Sequence, residues 1–93
     1  MIDELYRRLR SLLKDDCVIE IRDRPKPKVV IVKEHNQYHW VSFVGIDLES
    51  ALQRAVWKLK NPDIDYIDED GAKWEAQGTS VYGSDHVRSF LKG

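Results

Sequence analysis

Cysteine is almost absent from this 93-residue chain: Cys17 stands alone, which excludes an internal disulfide and a cysteine-rich zinc site. Long apolar runs are missing as well. The longest, Val29 to Val32, falls far short of the ~20 residues that a membrane-spanning helix needs, so no membrane role is expected. The N-terminus, MIDELYRRLR, has no apolar stretch of signal-peptide type, and a cytoplasmic protein is expected. With a net charge of −1, the chain as a whole lacks the basic excess of a typical nucleic-acid binder. Neither a phosphate-binding glycine loop nor a nucleophile elbow occurs. A non-enzymatic protein without a cofactor is therefore expected.

What is present is a balanced globular composition, 42% hydrophobic and 33% charged, which argues against disorder. A chain this short buries only about 60–65% of its unfolded surface, so residues 1–93 are expected to form one domain around one core. The charge is segregated. Residues 1–60 hold 12 Lys/Arg against 9 Asp/Glu, net +3, whereas residues 61–93 hold 3 against 7, net −4.

Hydrophobic periodicity predicts an α+β order. Ile2, Leu5, Leu9, Leu12 and Leu13 recur at helical spacing over residues 2–14, and Asp3 and Glu4 near the start suit the helix dipole. Three strands follow. Residues 17–22 alternate, residues 28–33 are apolar on both faces, and residues 38–44 are rich in aromatic and β-branched side chains. The first connection, Asp23 to Pro27, contains two prolines that cannot continue a ladder. It is expected to be an exposed basic loop, and Glu34 to Gln37 a hairpin tip.

A second helix is the clearest prediction. Asp47 is a fitting N-cap, Ile46 is placed to staple onto Ala51 across it, and Leu48, Leu52, Ala55, Val56 and Leu59 form the apolar face. Asn61-Pro62 ends it. Beyond an acidic connection, Thr79 to Tyr82 is ambiguous between strand and loop. Ser84 can cap a short last helix with Val87, Phe90 and Leu91 inward. The expected fold is thus α-β-β-β-α, a three-stranded antiparallel sheet with helices on one face, then an acidic segment and a short C-terminal helix. The other sheet face is left more open and able to carry function.

The acidic segment, NPDIDYIDEDGAKWE over residues 61–75, collects Asp63, Asp65, Asp68, Glu69, Asp70 and Glu75 against Lys73 alone. Aligning Gly71 with the turn glycine of a calcium-binding loop puts Asp68 and Asp70 in ligand positions, but Tyr66 and Gln77 fall where acids are required. No metal site is expected. His35, His39 and His86 have no accompanying ligand motif and read as surface or structural histidines. Ser84-Asp85-His86 has the residue types of a hydrolase triad without the convergence one requires. Cys17 sits at an apolar strand position and reads as buried. Trp40 is a candidate core residue, and Trp57 lies at the edge of the helical apolar face. Trp74 is open between a contact residue and a pin holding the acidic loop.

The segment from Tyr38 to Trp74, YHWVSFVGIDLESALQRAVWKLKNPDIDYIDEDGAKW, resembles a pattern common in small proteins of phages and mobile elements. In layout the chain is similar to certain small anti-CRISPR proteins that inhibit the effector nuclease by imitating DNA. The resemblance implies that Asp63, Asp65, Asp68, Glu69 and Asp70 stand in for phosphates before a basic nucleic-acid-handling protein, with Tyr66 or Trp74 as apolar anchors. The basic loop at Arg24 and Lys26 departs from that pattern. Two alternatives remain: a small nucleic-acid-binding domain using Arg22, Arg24, Lys26 and Lys28, or a structural domain whose acids only solubilise a loop. Double-stranded-RNA-binding domains share the element order, but the second helix here begins Asp47-Leu48-Glu49-Ser50 where those domains place phosphate-binding lysines. An exposed strand edge would also permit a homodimer by sheet extension.

Overall fold

The computed structural model describes residues 2–63 and 84–92. Its order is α1 (Ile2–Leu12), β1 (Cys17–Arg22), β2 (Lys28–Lys33), β3 (Asn36–Val44), α2 (Leu48–Lys60) and α3 (Ser84–Arg88). The strands form one antiparallel sheet in the order β1-β2-β3. One face of this α+β fold carries the core. Cys17 of β1, Val29 and Ile31 of β2, and Val41 and Phe43 of β3 pack with Leu9 of α1, with Ala51, Leu52, Ala55, Val56 and Leu59 of α2, and with Val87 and Phe90 from the C-terminal segment.

α1 stops at Leu12, short of the predicted residue 14. Leu13 leaves the helix yet is fully buried, because it forms an antiparallel bridge with Leu91. The flanking bonds Lys14 N–H to Phe90 O (3.0 Å) and Lys92 N–H to Leu12 O (3.0 Å) lock the C-terminal segment to this junction. Arg10 completes the turn by donating to the carbonyls of Lys14 (2.6 Å) and Cys17 (2.5 Å).

α2 begins as expected. The Asp47 carboxylate accepts from Ser50 N–H at 2.7 Å, and that bond holds its pKa below the usual carboxylate range. At the other end Asn61 N–H donates to the carbonyls of Trp57 and Lys58. The expected staple from Ile46 to Ala51 is absent, since Ile46 is 89% exposed. Gly45 takes that place instead: a Cβ there would lie 2.5 Å from Ala51 N, so the backbone itself packs against the first turn.

The β2–β3 hairpin turns on Glu34 and His35, and β3 begins at Asn36 rather than Tyr38. Lys33 pairs with Asn36 while Val32 pairs with Trp40, so Gln37, Tyr38 and His39 form a bulge. Asn36 Oδ1 accepts from Tyr38 N–H at 3.1 Å, an Asx-type bond that supports the bulge.

Candidate functional site

Strand parity decides what the other sheet face displays, the one that is helix-free among the described residues. With Val41 and Phe43 turned into the core, Trp40, Ser42 and Val44 must point the other way. Trp40 is therefore no core residue: it is 38% exposed on the helix-free face. Cross-strand register arranges this face in three rows, Val18–Val32–Trp40, Glu20–Val30–Ser42 and Arg22–Lys28–Val44. Tyr38, thrown outward by the bulge, extends the first row and is 84% exposed. Together with Lys33, Glu34 and Gln37 these residues line a shallow concavity of about 800 Å³.

The two ends of the face differ in chemistry. One end carries the aromatic and apolar side chains Trp40, Tyr38, Val32 and the half-exposed Val18, with Lys33, Glu34 and Gln37 of the hairpin at its margin. The other end is cationic. Arg22 and Lys28 are directly paired across β1 and β2, and the loop beyond them carries Arg24 and Lys26, both exposed. Glu20 lies between and accepts from Arg22 at 2.9 Å, which offsets part of the positive charge. Of the four basic residues singled out in the sequence, Arg22 and Lys28 thus line this face, and Arg24 and Lys26 lie in the exposed loop that joins their strands. Their loop is positioned by Gly45 N–H, which donates to Pro27 O at 3.2 Å.

A second grouping had no signal in the sequence. His39 projects to the helix side, where its ring lies 5.0 Å from that of His86 and 4.8 Å from that of Phe90. His39 Nε2 shares a 2.7 Å hydrogen bond with Ser89 Oγ, and His86 Nε2 lies 2.9 Å from the Trp40 carbonyl oxygen. Ser89 Oγ in turn donates to His86 O at 2.5 Å. Lys33 Nζ stands 5.5 Å over the Phe90 ring and bonds Asp16 at 3.3 Å. Burial, then the neighbouring His86 and Lys33, push the His39 pKa down. The bond from Lys33 lowers that of Asp16. Cys17 is buried beside the Phe90 carbonyl, and burial raises its thiol pKa, which disfavours the reactive thiolate.

Of the acidic residues, Asp63 is described: it is exposed and forms an ion pair with Arg88 of α3. Asp65, Tyr66, Asp68, Glu69, Asp70 and Trp74 lie outside the described residues, as does the Thr79 to Tyr82 stretch. Among the described residues, no group of three or more His, Cys, Asp or Glu side chains is placed to hold a metal ion. No described helix is long and apolar enough to cross a membrane. No family model, curated protein or solved structure matches the chain.

Proposed function

We propose that this chain is a non-enzymatic nucleic-acid-binding module whose working surface is the helix-free face of its sheet. The observation that carries this reading is the graded make-up of that face. Arg22 and Lys28 at its cationic end continue into Arg24 and Lys26, while Trp40 and Tyr38 stand at the other end. Cations of this kind neutralise phosphates and release their counterions, so binding must weaken steeply with salt. The overall charge of −1 does not oppose the reading, because the charge is segregated: Arg22 and Lys28 line one end of the face, and Arg24 and Lys26 lie in the loop next to it. If all four contact phosphates, a log–log plot of affinity against salt has a slope of roughly −3 to −4. Fluorescence anisotropy with labelled oligonucleotides over a salt series measures it. The double reversal Arg22→Glu, Lys28→Glu should flatten the slope by about two contacts. Absence of binding by the wild type at low salt overturns the reading.

A second reading is favoured by the pair between Asp63 and Arg88. The acidic stretch leaves α2 at a well-terminated helix end and is tied there to α3. It rejoins the described chain at Ser84, just before Val87 and Phe90 enter the core. In this reading Asp65, Asp68, Glu69 and Asp70 supply carboxylates to a basic nucleic-acid-handling protein of host or phage, such as a CRISPR effector. The chain would then act as an anti-CRISPR-like inhibitor through a DNA-mimicking surface, with Tyr66 and Trp74 as anchors. Reversing Asp68, Glu69 and Asp70 to lysine should abolish capture of such a protein while circular dichroism stays unchanged. Capture that survives the reversal removes this reading.

A further inference from the structure

We infer that the helix-free face takes a single strand rather than a duplex, with two bases stacked on Trp40 and Tyr38 and the backbone running toward Arg22 and Lys28. The inference rests on the nucleic-acid-binding reading of the same face and adds to it the form of the ligand and the contact made by the aromatic end.

Size decides first against a protein partner. Three strands about 4.8 Å apart and about six residues long span roughly 10–15 Å by 20 Å. That is a few hundred square ångströms, well below the roughly 800 Å² per partner of a stable protein interface. It is the scale on which sheet platforms stack two or three bases. Chemistry then decides against the duplex, whose bases are stacked on one another and offer no ring face to a side chain. In a single strand the ring faces are accessible, and aromatic side chains stack on them with little regard to sequence. Tyr38 is 84% exposed and Trp40 38% exposed, and both line the concavity. Trp40 and Val44 are four residues apart along β3, and Val44 shares its row with Lys28 and Arg22. The stacking end and the cationic end are therefore about 13 Å apart. Ser42, Val30 and Glu20 form the floor between them, and of these Glu20 alone is charged like the ligand.

Glu20 supplies a test that loss of folding cannot imitate. Its carboxylate bonds Arg22 at 2.9 Å and would face the phosphates. Glu20→Gln removes one repelling charge and releases Arg22, so single-strand affinity should rise several-fold. Tyr38→Ala and Trp40→Ala should each weaken binding of a labelled oligo-dT about tenfold or more. Trp40→Phe should restore much of the Trp40→Ala loss, because a ring face returns. A hairpin duplex of matched length should bind more weakly and show no response to the aromatic variants. Circular dichroism establishes that each variant is folded. Equal affinity for duplex and single strand, with Tyr38→Ala, Trp40→Ala and Glu20→Gln all silent, overturns the inference and leaves the nucleic-acid reading standing. Absence of binding to either form overturns both.

Discussion

Gly45 is small because the first turn of α2 leaves no room beside it. A Cβ at this position would meet Ala51 N at 2.5 Å and Asp47 O at 2.9 Å, and both are backbone atoms that cannot rotate away. Gly45→Ala should therefore destabilise the fold by about 1–3 kcal/mol, the range for overpacking a filled site, as measured by urea denaturation. Its neighbours have the opposite tolerance. Ile46 is almost fully exposed, so its side chain contributes little despite being apolar. At this residue scale the sequence was partly legible. The Asp47 cap could be read from its place before an apolar helical face. The contact made by Gly45 could not, because a close backbone approach leaves no mark in the pattern of side chains.

At the scale of elements, the attachment of α3 is expected to depend on protons. A helix of five residues is too short to be stable alone, and its docking relies on Val87 and Phe90 in the core with His39, His86 and Ser89 beside them. The groups facing His39 are His86, Lys33, Asp16 and Lys14, so burial and nearby positive charge outweigh the one carboxylate. With the folded pKa of His39 below its unfolded value of about 6.5, unfolding takes up a proton in the interval between the two. Stability should then fall as pH drops below about 6.5 and level off beneath the folded pKa. His39→Gln retains a hydrogen-bonding group near Ser89 and removes the titration. Denaturation midpoints measured from pH 7.5 to pH 5 should decline less for His39→Gln than for the wild type. Equal declines would assign the effect to other groups.

Hairpin register is a second property of elements. Alternation along β3 was legible, but its phase relative to the core was not, and Trp40 read as a core candidate. The bulge at Gln37–His39 and the pairing of Val41 and Phe43 with the α2 side settle the phase. A shift of one residue exchanges every side chain between the faces of a sheet, so the same residues 38–44 can be read either way until their partners are known.

At the scale of the whole molecule, acid should reduce stability for a reason distinct from His39. Asp16 is held by Lys33 and Asp47 by the Ser50 amide, and both carboxyls have lowered pKa values. Their contribution is present above the unfolded carboxyl value of about 3.9 and is lost as pH falls through the folded values. Denaturation midpoints followed by circular dichroism should fall further below about pH 4, separately from the histidine phase. Lys33→Met should reduce the part due to Asp16. Among the described residues, both outer strands, β1 and β3, are edges of the sheet. The homodimer considered from the sequence would have to use one of them, and at β1 it would meet the charges of Glu20 and Arg22.

The order α-β-β-β-α, the apolar face of α2 and its caps, and the basic make-up of the 22–28 hairpin were determined by the sequence alone. They arise from periodicities of 3.6 and 2 and from cap chemistry, which act between near neighbours. Only the tertiary structure decided that Leu13 pairs with Leu91, that His39 meets His86 and Ser89, and that Trp40 shares the helix-free face with Arg22 and Lys28. Those contacts join residues up to 78 positions apart. They depend on strand phase and on where the C-terminal segment docks, and no local spacing encodes either.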